Sequence, residues 1–161
     1  GAPSVYADYD KTKQAVLSLK SYIDAQPKSI QLCHIDAVPD NFLFVTGKDG
    51  SEEIKLIDWE YAGMQDPHLD VAMFIVYAMY DRDSAEKLID LYFSDGCDQA
   101  TRLKVYCYIA VSGLVWSNWC EFKHHCGVEF GAYTQRQYDY AREYTKIFFK
   151  EYREAFGRDY V

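Results

Sequence analysis

The chain has 161 residues, 49% of them hydrophobic, which predicts one folded domain with a packed core and excludes a largely disordered chain. The net charge of -8 argues against nucleic acid as a partner, because a phosphate backbone requires a basic face. No apolar run is long enough for a membrane span, and GAPSVYADYDKTKQ is not a secretory signal. The five irregularly spaced cysteines favour reduced thiols, so we expect a cytoplasmic protein.

The first half of the chain predicts a helix, a connector and a hairpin. Apolar residues at helical spacing predict a helix over residues 8–25, and residues 29–33 follow as a short connector. Apolar runs at 42–46 and 54–57 predict two strands. The turn-forming segment GKDGSEE between them predicts that they form a hairpin.

The second half is predicted to be helical. Residues 69–80 are mostly apolar and predict a buried helix, and Ser84 is expected to cap a helix that runs to about residue 93. Residues 99–120 are apolar on almost every side, as in a central helix, and residues 133–155 are amphipathic. The expected fold is therefore mainly α with a small β-hairpin.

Two polar clusters adjoin the predicted hairpin, CHIDAVPDNFLF at 33–44 and KLIDWEY at 55–61. An antiparallel hairpin brings its open ends together, so Asn41 and Asp58 are expected to be neighbours, with the apolar runs anchoring the hairpin to the core. Carboxylate and amide oxygens suit Mg-dependent phosphoryl transfer. One carboxylate, such as Asp36, orients the attacking hydroxyl, and the others hold magnesium ions that bridge the phosphates.

The order of these residues carries a family resemblance. His-x-Asp, four residues and Asn, followed by Ile-Asp-x-Glu after a strand, resembles the catalytic core of the choline kinase and aminoglycoside phosphotransferase superfamily, distant relatives of protein kinases. The longer string LIDWEYAGMQDPHLDVAMF is most similar to choline kinases, especially the bacterial LicA-like type. The similarity is specific over about residues 31–74 and looser through the C-terminal helices.

The resemblance implies a role for each polar residue. Asp36 matches the catalytic aspartate that faces the substrate hydroxyl. Asn41 and Asp58 match the metal ligands, and Glu60 matches an acidic residue that supports the metal or its water. The implied cofactor and co-substrate are Mg²⁺ and ATP.

Two further residues match supports of the catalytic loop. His34 matches a structural histidine, and Asp70 matches a buried aspartate that accepts hydrogen bonds from backbone amides near His34 and Ile35. The family often has Asn where this chain has Ile35, a packing change with no consequence evident from the sequence. Asp66 is expected only to cap the helix that follows it.

The resemblance makes some of the aromatic residues, which are 17% of the chain, candidates for the walls of a cation pocket. Choline's quaternary ammonium offers no N–H donor and is bound by ring faces and carboxylates. Trp116 and Trp119 stand one helical turn apart and share a face, which resembles the choline pocket of choline kinases. Tyr77, Tyr80 and Tyr133 are candidates for the other walls. Ordinary core packing is the alternative for each ring.

The segment CEFKHHC, residues 120–126, offers a different possibility. Cys120 and His124 lie one helical turn apart and could share a zinc ion. No second Cys/His pair stands at ligand spacing, and the five cysteines are irregularly placed. We therefore expect reduced thiols and solvated histidines at a helix end.

The resemblance implies the C-terminal lobe of a protein-kinase-like fold. Such kinases also need an N-terminal lobe with a glycine-containing loop over the phosphates and a strand lysine. Gly1 is the only glycine before Cys33. Residues 1–161 are thus expected to form the catalytic-loop and substrate-binding lobe alone, inactive without the missing N-terminal lobe.

Three functions remain open at this stage. The first is the C-terminal lobe of an ATP-dependent choline kinase that makes phosphocholine. The second is a related kinase for ethanolamine, an aminoglycoside or another amino alcohol, which a polar or strongly acidic pocket would favour. The third is a non-catalytic module that binds a cation.

Overall fold

The computed structural model describes residues 3–160. The helices are α1 Tyr9–Ser18, α2 Lys20–Ala25, α3 His68–Tyr77, α4 Arg82–Tyr92, α5 Gln99–His125 and α6 Ala132–Phe156. The strands are β1 Gln31–Cys33, β2 Phe42–Thr46, β3 Glu52–Leu56 and β4 Gly63–Gln65. The fold class is the mainly α-helical one predicted from the sequence. No helix within residues 3–160 has the length and apolarity that a bilayer crossing requires.

The core lies where α5 packs along α6, with α3 against α5. Large side chains on these helices are fully buried, among them Tyr106, Ile109, Tyr138, Tyr144 and Phe148. Many of the tyrosines are therefore core residues, because a phenol contributes a large apolar ring and a hydroxyl that can reach a partner. Core packing thus accounts for much of the aromatic content.

Gly113 marks the closest approach of α5 to α6. A Cβ at this position would lie 2.7 Å from the backbone oxygen of Gln137 and 2.7 Å from the Cβ of Tyr140. These atoms belong to the backbone of α6 or adjoin it, so they cannot move aside without shifting the helix. The glycine lets the two longest helices touch.

We expect Gly113→Ala to lower the free energy of unfolding by about 1–3 kcal/mol, because overpacking outweighs the gain in helix propensity. Val115→Ala, on the same helix at a side chain that is 58% exposed, is the control and should change stability by less than about 0.5 kcal/mol. Urea unfolding followed by circular dichroism measures both. An unchanged midpoint for Gly113→Ala would contradict the close helix contact.

The strands form two separate antiparallel pairs. In the predicted hairpin, Phe42 lies opposite Leu56 and Thr46 opposite Glu52. In the second pair, β1 lies antiparallel to β4, with Gln31 opposite Gln65 and Cys33 opposite Gly63. The sequence predicted only a connector at the position of β1. Strands of three residues are too short to show an alternating pattern.

The hairpin is anchored only in part: the ring of Phe42 packs on that of Phe74, with centroids 5.4 Å apart. The side chain of Phe44 is 81% exposed and that of Ile54 is 63% exposed. The expectation that the apolar runs fix the hairpin to the core was therefore wrong for these side chains. The hairpin presents apolar surface that residues 3–160 leave uncovered.

Helix boundaries differ from the prediction at several points, one of which is the end of α3 at Tyr77 and not at residue 80. The helix predicted over residues 8–25 is interrupted at Leu19, which separates α1 from α2. Asp81, and not Ser84, caps α4: its carboxylate accepts a hydrogen bond from the Ser84 amide at 2.9 Å. The central helix continues one turn beyond residue 120, to His125.

Candidate active site

The loop that carries Asp36 is held from both sides. Asp70, near the start of α3, accepts hydrogen bonds of 2.8 Å from the backbone amides of His34 and Ile35. These are the two contacts expected from the sequence, although Asp70 is half-buried and not fully buried. His34 is buried, and its Nε2 lies 2.8 Å from the backbone oxygen of Ile57, which ties the loop to the end of β3.

Two residues of the site have left-handed backbone conformations. Ile35 has φ 70° and Asp58 has φ 63°. For a β-branched residue this conformation costs about 1–2 kcal/mol, whereas Asn adopts it more readily. The position where the family often has Asn is therefore one whose backbone favours Asn. The backbone amides of His34 and Ile35 donate hydrogen bonds to Asp70, which holds Ile35 in this strained form, and strain of this kind is common at functional sites.

Asn41 connects the loop to the hairpin. Its side-chain nitrogen donates a 3.0 Å hydrogen bond to the backbone oxygen of Asp36, and its backbone oxygen accepts one of 3.0 Å from the amide of Ile57. Asp58 follows Ile57 directly, so Asn41 and Asp58 stand side by side at the open end of the hairpin. The amide nitrogen of Asn41 is engaged, which leaves its side-chain oxygen as the atom suited to a cation.

The donor set at this end of the hairpin fits magnesium. Asn41, Asp58 and Glu60 offer oxygen atoms, which are the ligands that this hard cation prefers. Within residues 3–160, no three His, Cys, Asp or Glu side chains converge to form a metal site by themselves. That is compatible with magnesium, which is usually held by one or two carboxylates together with substrate phosphates.

A cavity of about 470 Å³ opens beside Asp36. Trp116 and Trp119 form part of the cavity wall and pack edge to face, with their ring centroids 5.0 Å apart. The cavity is lined by Asp36, Val38, Glu60, Tyr61, Tyr77, Trp116, Trp119, Phe130 and Tyr133. It therefore combines two carboxylates with a wall of aromatic rings.

One phenol in this cavity contacts the carboxylate of the loop. The hydroxyl of Tyr77 donates a 2.6 Å hydrogen bond to Oδ1 of Asp36. Burial, and then this hydrogen bond, raise the pKa of Tyr77 far above the ordinary value. Burial likewise raises the pKa of Tyr133. Both phenols are thus neutral at physiological pH, and Tyr77 acts as a donor.

The sequence of this chain matches a known protein family. The family model for choline/ethanolamine kinase matches residues 2–107. The chain belongs to the choline/ethanolamine kinase family. It is 30% identical over 121 residues to protein LicA of Haemophilus influenzae, covering 68% of this chain and 41% of LicA.

Solved structures of this family have the same fold. A choline/ethanolamine kinase family protein from Mesorhizobium loti superposes with a TM-score of 0.75 at 26% identity, covering 91% of this chain and 49% of that protein. The choline kinase LicA from Streptococcus pneumoniae gives 0.71 at 29% identity, covering 91% of this chain and 50% of LicA. LicA has also been solved in complex with AMP. This chain thus spans half or less of each relative.

The cavity contains four of the five aromatic residues that the sequence proposed, but not Tyr80. The ring of Tyr80 packs on Phe74 with centroids 5.8 Å apart, outside the cavity. Tyr61 and Phe130 line the cavity and were missed. Tyr61 directly follows Glu60 and could have been inferred from the motif. Phe130 lies in an irregular segment, where no periodic pattern in the sequence indicates which way a side chain points.

The residues of CEFKHHC lie at the end of α5. Cys120 is buried, while Cys126 is exposed. The Nδ1 of His124 lies 2.9 Å from the carboxylate of Glu129, so the imidazole has a partner other than a thiol. The segment therefore lies at a helix end, as the sequence predicted.

A larger cavity, of about 570 Å³, lies between the hairpin and helices α3 and α4. Its walls are mainly apolar and include Phe42, Phe44, Ile54, Val71, Phe74 and Leu88. It contains none of Asp36, Asp58 and Glu60. Chemistry on a substrate hydroxyl is therefore better placed in the smaller cavity.

Proposed function

We propose that this chain is the C-terminal, substrate-binding lobe of an ATP-dependent choline kinase, which transfers the γ-phosphoryl group of ATP to the hydroxyl of choline and yields phosphocholine. The observation that carries the proposal is the cavity in which the Asp36 carboxylate and the Trp116–Trp119 pair face one space. Choline has a hydroxyl at one end and a quaternary ammonium at the other. Its hydroxyl would lie at Asp36, and its ammonium a few ångströms further along, at the tryptophan pair.

The cavity walls favour a quaternary ammonium. Aromatic faces attract a cation but accept no conventional N–H hydrogen bonds, so they suit an ammonium that has no N–H to donate. Glu60 adds a negative charge on the same cavity. The primary ammonium of ethanolamine would instead need several acceptors. Glu60 can serve as one, and ethanolamine is for that reason the second candidate substrate.

The polar groups at the hairpin end supply the other half of the reaction. We assign Asn41 and Asp58 to Mg²⁺, with Glu60 in support, and Asp36 to the substrate hydroxyl. Magnesium, when bound, neutralises charge on the phosphates. The AMP complex of LicA supports a nucleotide co-substrate for the family.

We further propose that a nucleotide-binding lobe covers the exposed side of the hairpin in a longer protein. The support is twofold: the chain spans 41–50% of its relatives, and strands β2 and β3 expose Phe44 and Ile54. Uncovered apolar surface of this kind marks an interaction site. All five cysteines are free thiols, which fits a cytoplasmic kinase with access to ATP.

Titration calorimetry with choline, ethanolamine and kanamycin, each with and without Mg-ATP, tests the proposal. We expect choline to bind most tightly, because it alone pairs a quaternary ammonium with a hydroxyl. Tighter binding of ethanolamine or kanamycin would transfer the assignment to another amino-alcohol kinase. Choline binding by a full-length protein that transfers no phosphoryl group would identify a non-catalytic cation-binding module.

The tryptophan pair makes a separate prediction. We expect Trp119→Ala to weaken choline binding by about 2- to 30-fold, since one cation–π contact contributes about 0.5–2 kcal/mol. Trp116→Ala should act similarly where it remains folded. Phe122→Ala, on the same helix but outside the cavity, is the control and should leave choline binding unchanged.

Calorimetry of the full-length protein with choline and Mg-ATP distinguishes the alternatives for the two rings. Weaker choline binding with ATP binding unchanged supports the cation cage. Unfolding of either variant favours core packing for that residue. If both variants bind choline like the full-length parent protein, the choline assignment fails, and a kinase without a ring-lined pocket becomes the better account.

A further inference from the structure

We infer that Tyr77 is a positioning residue for the catalytic carboxylate: its hydroxyl holds one oxygen of Asp36 and thereby presents the other to the substrate. This inference rests on the proposed kinase function and assigns Tyr77 a role beyond that of a cavity wall. It follows from the contacts that α3 makes with the loop.

Helix α3 holds the loop at three consecutive residues. Asp70 accepts hydrogen bonds from the amides of His34 and Ile35, and Tyr77 donates to the side chain of Asp36. Asp70 and Tyr77 are seven positions apart, two turns of helix, so both project from one face. One rigid helix thus fixes both the backbone of the loop and the direction of its carboxylate.

The phenol is itself held in place. The ring of Trp116 packs against that of Tyr77 with centroids 5.1 Å apart. The indole nitrogen of Trp116 is buried and has no hydrogen-bond acceptor among residues 3–160. The oxygen of Tyr77 keeps lone pairs after donating to Asp36. Trp116 therefore supports Tyr77 in addition to lining the cavity.

A fixed carboxylate matters because the two oxygens of Asp36 have different tasks. Oδ1 is occupied by a neutral phenol that can donate but that does not ionise at working pH. Oδ2 remains for the substrate. As the hydroxyl oxygen bonds to the γ-phosphorus, the bond from that phosphorus to the β–γ bridging oxygen breaks, ADP leaves, and the hydroxyl proton passes to Oδ2. Rotation of the carboxylate would misalign this acceptor.

Tyr77→Phe tests the inference in the full-length kinase. It removes the hydrogen bond and keeps the ring, so we expect kcat to fall by about tenfold while KM for choline changes less than about twofold. Tyr92→Phe, which removes a phenol hydroxyl on α4 outside the active-site cavity, is the control and should leave both constants unchanged. A raised KM with unchanged kcat would make Tyr77 a wall only and overturn the inference.

A second readout is independent of turnover. In the 161-residue chain, the hydroxyl proton of Tyr77 should be visible by NMR as a slowly exchanging resonance, lost in Tyr77→Phe and shifted in Asp36→Asn. Its absence from the parent chain would overturn the inference. A parent full-length protein that phosphorylates no amino alcohol would overturn the proposed function, and this inference with it. Normal turnover in Tyr77→Phe would overturn the inference alone.

Discussion

The 161-residue chain alone is expected to show no measurable turnover of choline with Mg-ATP, although Asp36, Asn41 and Asp58 are all present. Phosphoryl transfer depends mainly on positioning and on charge stabilisation around the phosphates. Orientation of the reactants alone supplies about 7–11 kcal/mol of barrier reduction in favourable cases. The groups that hold the β- and γ-phosphates are expected in the other lobe, so most of this reduction is lost.

A radiometric assay with γ-labelled ATP measures this directly as labelled phosphocholine. The full-length protein is the control expected to be active, and its Asp36→Asn variant should lose about 10²- to 10⁴-fold in kcat. Magnesium binding to the chain alone should be weak, because phosphates normally complete its coordination. Turnover by the chain that disappears in Asp36→Ala would show that this chain suffices as a kinase.

The open end of the hairpin could be predicted because the arrangement depends on residues close together in the sequence. Asn41 precedes one strand and Asp58 follows the other, so the hairpin alone makes them neighbours. The backbone hydrogen bond between Ile57 and Asn41 is the register that this argument requires. The order of the motif residues then indicated the family, and the family resemblance indicated the fold.

Contacts between distant segments could not be predicted in the same way. The hydrogen bond from Tyr77 to Asp36 spans 41 positions, and no periodicity in the sequence relates the two residues. Tyr80 lies three residues from Tyr77, but it follows the end of α3 at residue 77, so it no longer shares the cavity face. A helical pattern predicts which residues share a face only while the helix continues.

Asp66 illustrates a second limit. It accepts a hydrogen bond from the amide of His68 at the start of α3, as a capping residue would. The interpretation as a cap alone was nevertheless incomplete, because Asp66 is buried and pairs with Lys104, 38 positions away. A lysine in an apolar helix usually extends its ammonium to water, and the sequence does not distinguish that from a buried pair.

Lys104→Ala is expected to lower the free energy of unfolding by about 3–5 kcal/mol, because it leaves a buried carboxylate without its cation. Lys104 is 2% exposed and Asp66 is 4% exposed, with Nζ and Oδ2 2.7 Å apart. The ammonium also donates to the backbone oxygen of Pro27 at 2.8 Å, which joins α5 to the segment before β1. The hydroxyl of Tyr108 remains as a neutral donor at 3.1 Å and cannot balance the charge.

The pH dependence separates this pair from ordinary packing. Burial raises the pKa of Asp66, but the hydrogen bonds from Lys104 and the His68 amide outweigh it and hold the pKa below 3.8. The pair therefore contributes stability above that value and loses it as the pH falls through the lower folded pKa. Lys104→Ala should raise the pKa of Asp66. The loss in free energy of unfolding caused by Lys104→Ala should therefore be smaller in acid, and it should also be smaller in the double variant with Asp66→Asn. Lys150→Ala, at an exposed lysine of α6, is the control and should cost less than about 0.5 kcal/mol in urea unfolding at neutral pH. If Lys104→Ala costs no more than this control, the ammonium is solvated and Asp66 acts only as a cap.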